Sequence, residues 1–314
     1  MKKLLLLILL IPFFVQAQDF SGEITYEIRI VPKSDTIGID TSGLKELIAR
    51  EDGTTVSYII GAKRYKSTYY KDGKYSYSYT YDNETKRMYD DYAGKPYITF
   101  RDARKPNYEY GDSEILEDAT TKVLGHESYM VITESEYGLT KTYYSEDIRV
   151  DYTDFEGHNV GNWYNKLKEV DGAIALKTTT EYGLYYEIRE AVKIKKRKVK
   201  DKEFELPDKP IAAAFSALDE KFDLLPPTQA QLDCYQEKTV SNSKSGGEKY
   251  TSYITFILET DGTMKYAEPL EEDKDGLYKV ALDIVLNCGF QFKIGKIDGK
   301  PVNTQIHFPV EFLR

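Results

Sequence analysis

The sequence predicts a mainly β protein with an α+β tail: a large curved antiparallel sheet, half-barrel-like, followed by a small β-β-α-β domain. Three observations predict it. Between Gly22 and about Pro207, nearly every segment alternates apolar or aromatic residues with polar ones, which is the period of a strand. Asp-Gly and similar turn pairs separate these segments. Beyond residue 249 the pattern becomes strand, strand, a helical stripe and a final strand, the order of a small α+β unit. A chain of 314 residues is long enough for both parts.

The elements follow in order. MKKLLLLILLIPFFVQAQ opens with Lys2 and Lys3, then an apolar run from Leu4 to Val15. A spanning helix needs roughly 20 apolar residues, so residues 1–17 read as a cleaved signal peptide. No Cys follows the run, which excludes the usual lipoprotein anchor. No later segment is apolar enough to span a membrane. The mature chain is therefore expected to be soluble and exported: periplasmic, outer-membrane-associated or secreted from a Gram-negative bacterium. Loss of Lys2 and Lys3 takes the net charge from −9 to −11, which argues against nucleic acid as a partner.

Residues 18–207 form the predicted β domain. EITYEIRI alternates Ile24, Tyr26, Ile28 and Ile30 with polar partners, and similar runs continue to LYYEIREAVKI. Turn pairs such as Asp52-Gly53, Asp72-Gly73 and Asp171-Gly172 mark hairpins. One antiparallel meander of eight to ten strands is expected, and a sheet that long must coil or close. SGLKELIARED, residues 42–52, is the exception: Leu44, Leu47 and Ile48 have helical spacing. KIKKRKVKDK, residues 193–202, reads as a solvated edge strand guarded by lysines; an acidic lipid surface or the chain's own acidic part could also meet it.

KDGKYSYSYTYD carries the least ordinary pattern. Tyr75, Tyr77, Tyr79 and Tyr81 occupy every second position, so a regular strand puts four phenols on one face. The chain has 28 tyrosines against 13 phenylalanines and one tryptophan, so its aromatic mass is amphipathic. Two readings stand. The row lines a site for a lipid-like or amphipathic ligand, or it packs under the 42–52 helix as a thin core.

Residues 208–248 form a helical or linker segment. LPDKPIAAAFSALDEKFDLLPP has Ala-rich helical character, with Asp208 and Pro210 placed as helix-start residues. In residues 249–314, ITFILETDGTM is a hairpin pair. Leu277, Val280, Ala281, Ile284 and Val285 then make a helix stripe closed by Gly289. Cys234 and Cys288 are the two cysteines. In an exported protein they read as one disulfide, the other reading being two buried thiols.

Chemistry is thin. His126, His158 and His307 lie far apart, and neither a metal-ligand spacing nor a nucleophile-and-base motif occurs. No catalytic residue, metal or cofactor is assigned, and the protein is read as a non-enzyme. EEDKDGLYKVAL imitates the first half of a calcium loop, but its twelfth position is Leu282, and its acids suit the N-terminus of the following helix.

ITFILETDGTM, LYKVALDIVLN and GKIDGKPVNTQIHFPVEF together resemble the C-terminal domain of TonB-type energy transducers. The matching positions are Asp261, Gly262, Gly299, Lys300, Pro301, Val302, Pro309 and Phe312. This resemblance implies strand addition: an extended peptide, from an outer-membrane transporter or another envelope protein, pairs beside Val302–Phe312. Val302, Asn303, Gln305 and His307 would then be partner-strand residues. The chain departs from the family in lacking its membrane helix and long Pro-rich spacer. KVLGHESYMVI, KTYYSEDIRVDY and KEFELP resemble exported proteins whose half-barrel sheet is similar to lipoprotein carriers, which cup lipid chains on the concave face. The two resemblances imply an envelope adaptor or, alternatively, a carrier of a lipid-like ligand.

Overall fold

The computed structural model describes residues 19–34, 42–107, 111–135, 138–243 and 247–313. The signal peptide expected at 1–17 lies outside the described residues.

The first half forms β1 (Gly22–Pro32), α1 (Ser42–Glu51), β2 (Thr54–Gly61), β3 (Arg64–Lys71), β4 (Lys74–Asp82), β5 (Arg87–Tyr92), β6 (Ile98–Asp102), β7 (Ser113–Val123), β8 (His126–Ser135), β9 (Gly138–Arg149), α2 (Trp163–Glu169), β10 (Ala173–Glu181) and β11 (Tyr185–Lys196). That is eleven strands rather than eight to ten. They are two meanders, not one. β1–β6 and β7–β11 each run up and down, and the ladder between β1 and β11 joins them. β11 pairs with both β1 and β10, but its ladder with β10 covers only Tyr186–Glu190, so the basic residues 193–196 pair with β1 alone. The lysines at 193, 195 and 196 remain exposed, while Arg197 pairs with Glu203 at 2.7 Å. Asp72 and Gly73 have φ of 50° and 72°, the left-handed pair that a two-residue hairpin demands.

The second half forms β12 (Ile211–Ala213), β13 (Asp223–Leu224), α3 (Gln229–Ser241), β14 (Lys249–Leu258), β15 (Met264–Pro269), α4 (Leu277–Asn287), β16 (Phe292–Lys293), β17 (Lys296–Ile297), β18 (Lys300–Pro301) and β19 (Thr304–Leu313). The strand-strand-helix-strand order is present, and α4 buries Leu277, Ala281, Ile284 and Val285 against β14 and β19. The Asp273 carboxylate accepts from the Leu277 and Tyr278 N–H groups at 3.1 and 2.8 Å. It satisfies donors at the start of α4, which accounts for the acids there.

The helix expected after Pro210 does not form. Ile211–Ala213 is a strand, parallel to both β6 and β19, followed by a single 3₁₀ turn at Phe215–Ala217. Ala212 and Ala213 are almost wholly buried there. Their small side chains let two sheets meet, and this tertiary gain outweighs alanine's helix preference. The helix of this region is α3, whose Thr228 and Gln231 make a reciprocal capping box.

The result is a large, open, mixed sheet with a few helices. Among the described residues it runs β15-β14-β19-β12-β6-β5-β4-β3-β2-β1-β11-β10-β9-β8-β7, and its two ends do not meet. Both halves of the chain share it.

β19 is therefore not the open edge that strand addition beside Val302–Phe312 would need. β14 pairs with it along its whole length on one side. On the other side, the Ala213 N–H donates to the Asn303 carbonyl at 2.7 Å. The Glu311 N–H donates to the Tyr235 hydroxyl at 3.0 Å, and the Leu313 N–H to Ser243 Oγ at 2.9 Å. Pro309, at the same parity, has no N–H. The chain's own groups close that edge except around Gln305 and His307. A disulfide between Cys234 and Cys288, with Cα atoms 5.7 Å apart, ties α3 to the end of α4.

Candidate ligand-binding site

Strand alternation builds one inner face across the first half. β4 contributes Tyr77, Tyr79 and Tyr81, opposite Tyr69, Ser67 and Tyr65 of β3. Tyr75 leaves the row. Between β3 and β4 the register moves from Tyr69↔Tyr77 to Tyr70↔Tyr75, so Ser76 is an extra residue. One extra residue sends the next side chain to the other face. There the Tyr75 hydroxyl donates to Asp91 Oδ2 at 2.7 Å. The four-phenol face is thus a three-phenol face, corrected by a bulge.

This face is roofed by residues 151–170 and by α1. Phe155, Val160 and Leu167 from the roof and Leu44 from α1 are buried against it. His158 is fully buried, with its ring stacked 4.0 Å from that of Tyr81. Its Nε2 lies 2.6 Å from the Tyr65 hydroxyl. Burial, with Arg101 and Lys86 nearby, holds the His158 imidazole down at about 3, so it is neutral. Tyr69 and Tyr77 stack at 4.1 Å, and the Tyr69 and Tyr79 hydroxyls lie 3.3 Å apart. Tyr77 and Tyr81 are therefore packing residues.

Tyr79 does more. It lines a cavity of about 200 Å³ between sheet and roof, with Tyr26, Tyr58, Trp163, Lys166 and Arg189 among its walls. The Tyr58 hydroxyl and Trp163 Nε1 are buried there without a hydrogen-bond partner among the described residues. Such atoms are costly unless something satisfies them. The Arg189 guanidinium lies 4.4 Å over the Tyr26 ring and 3.4 Å from the Tyr69 hydroxyl. Burial pushes the Lys166 ammonium down to about 8, against the pull of Glu169. A second cavity of about 250 Å³ shares Thr140, Thr142, Thr178 and Lys166 with the first and continues over the threonine-rich faces of β9 and β10. The inner face thus has a tyrosine half and a threonine half, with Arg189 at the boundary.

Sequence reasoning found Tyr79 but missed Arg189, Lys166 and Trp163. One signal existed: YYEIREAV places Glu187 and Arg189 at the inward parity of an alternating strand. The predicted partner-strand residues are scattered. Gln305 and His307 line a cavity of about 420 Å³ at the seam between β5–β6 and β14–β19. Val302 packs with Leu218, and the Asn303 side chain accepts from the Thr260 N–H at 3.1 Å. The seam's cations are matched internally: Arg101 donates to Asp90 at 2.7 Å, and Lys95 pairs with Glu268. Among the described residues no cluster of His, Cys, Asp or Glu could hold a metal ion, and no helix is long and apolar enough to cross a membrane.

No protein-family model matches the chain, and no curated protein matches it. Among solved structures it is similar to PNGF-II, with 11% identity over 76% of this chain and 43% of that one, at a TM-score of 0.39. It is also similar to the lipoprotein LppX of Mycobacterium tuberculosis, with 8% identity over 57% of this chain and 89% of that one, at a TM-score of 0.26. The chain spans less than half the length of PNGF-II. Overlaps this low carry neither neighbour's activity across. The class that the structure itself defines is a β-dominated α+β protein with one open mixed sheet and a roofed inner face.

Proposed function

We propose that this is a non-catalytic, exported binding protein of the cell envelope, which carries or senses a small amphipathic ligand between its inner sheet face and the 151–170 roof. The observation that supports it most is the sheltered aromatic cavity beside Tyr79, with the Tyr58 hydroxyl and Trp163 Nε1 buried and unpartnered within it. Small-molecule sites are concave, mostly apolar and equipped with a few converging polar groups. The leader-like N-terminus and the resemblance of KVLGHESYMVI and KTYYSEDIRVDY to half-barrel carriers agree with this reading. The adaptor reading, strand addition beside Val302–Phe312, is weaker because the chain itself occupies most of that edge.

The test is mass spectrometry of small molecules released from protein purified without detergent. A recurring amphiphile at a fixed ratio to protein is expected. Thr178→Phe, which fills the cavity wall, is expected to abolish it. A preparation free of any such molecule, or one whose content ignores the Thr178→Phe change, would count against the carrier.

A further inference from the structure

The walls of the inner cavity have an unusual charge. The chain carries 52 acidic residues against 43 basic ones. Yet the residues lining this cavity include two cations, Lys166 and Arg189, and no aspartate or glutamate. Arg189 forms no ion pair among the described residues; its partners are the Tyr69 hydroxyl, the Tyr79 hydroxyl and the Tyr26 ring. Neutral phenols are poor counter-charges for a guanidinium held out of water. Glu187, the strand neighbour of Arg189 at the same parity, makes no ion pair with it among the described residues; burial and Glu51 push the Glu187 carboxyl up, and the Arg189 charge draws it back only in part. The unpartnered Trp163 Nε1 can only donate. The cavity thus offers guanidinium donors and an indole N–H, with the Lys166 ammonium also on its wall and drawn by Glu169.

We infer that the ligand is an anion: a carboxylate or phosphate head, paired with Arg189 and reached from the roof by Lys166, on an apolar body that packs among Tyr26, Tyr58 and Trp163. The inference rests on the carrier reading and narrows it to a ligand class. A carboxylate or phosphate accepts two parallel bonds from a guanidinium, which a neutral head cannot do. The cavity's volume suits a body of about ten non-hydrogen atoms, with longer tails running into the threonine-lined space. Sequestering such a head under a roof joined to the sheet also makes release depend on lifting α2, because Lys166 and Trp163 both belong to it.

Trp163 is the chain's one tryptophan, so its fluorescence reports on this cavity alone. The experiment titrates the mature protein with octanoate, with 1-octanol and with inorganic phosphate. Octanoate is expected to bind at least about tenfold more tightly than octanol. Arg189→Gln is expected to lower octanoate affinity by about tenfold and to leave octanol unchanged, and Arg189→Lys to restore part of the loss. Lys166→Met, a change on the roof helix, gives the same comparison without touching the sheet. Equal binding of octanol and octanoate, indifferent to Arg189 and Lys166, overturns the anionic head and leaves the carrier standing. Phosphate binding that depends on Arg189, with no binding of either eight-carbon probe, supports the anion site and overturns the amphiphile carrier. No response to any probe overturns both.

Discussion

At the scale of single residues, one bulge decides what the tyrosine row does. Tyr81 is wholly buried, whereas Tyr75 is 37% exposed on the opposite face. Tyr81→Ala is therefore expected to cost about 3–5 kcal/mol of folding stability, and Tyr75→Ala about 1 kcal/mol or less. Urea unfolding of the two variants checks this, and equal losses would mean that the bulge is misplaced. His158 makes a second prediction. Its imidazole titrates at about 3 when folded, against 6.5 in the free side chain. Between those values the unfolded chain binds a proton that the folded chain refuses. Its contribution is complete above pH 6.5 and is lost as pH falls toward 3, at no more than about 1.4 kcal/mol per unit. His158→Phe should flatten the fall in stability between pH 7 and pH 5, and parallel slopes for the two proteins would refute the assignment.

At the scale of elements, α3 is held by a disulfide, by polar contacts and by the packing of Tyr235 against Phe290. Thr239 is its buried residue, while Leu232 and Val240 are exposed. The Cys234–Cys288 bond, the ion pair of Lys238 with Asp283, and the bonds from Glu311 and Leu313 fasten it. The disulfide spans 54 residues, and its removal should cost about 4 kcal/mol through the unfolded chain. Loosening of α3 should also uncover the outer edge of β19. Hydrogen exchange at the Glu311 and Leu313 amides is expected to quicken in a Cys234→Ser, Cys288→Ser double variant, more than at amides of β19 that face β14. Uniform quickening along β19 would show that α3 does not guard that edge. A strand-adding partner, if the protein has one, would bind this variant better than the parent chain.

At the scale of the molecule, three residues make one sheet of two. Ile211–Ala213 pairs with β6 on one side and touches β19 on the other. A sheet continuous across both halves should unfold cooperatively. Ala213→Pro removes the N–H given to Asn303 and is expected to split one calorimetric transition into two. A single transition in the variant would mean that packing across the seam, through Tyr97, Ala212 and Ile257, couples the halves without the strand.

Much of this architecture follows from local pattern. Period-2 runs between turn pairs specify β1–β6 and β8–β11, and the stripe from Leu277 to Val285 specifies α4; β7, whose burial does not alternate, carries no such signal. These signals survive because local preference and tertiary burial agree in them. Where they disagree, the sequence misleads. Ala212 and Ala213 favour a helix alone but become a strand, because only small residues fit where the two sheets meet. Tyr75 shares the parity of Tyr77 but not its face, because a register shift arises from the pairing of β3 with β4 and not from β4 itself. The strand Val302–Phe312 reads as an edge, but whether an edge is open depends on α3 and β12, which approach it from elsewhere in the chain. The cavity is the most tertiary feature of all. Tyr79, Trp163, Lys166 and Arg189 come from β4, α2 and β11, and no spacing in the sequence relates them. Alternation alone determined that this protein would have a tyrosine-rich inner face. Folding a roof across that face decided which of its residues are packing and which surround a buried positive charge.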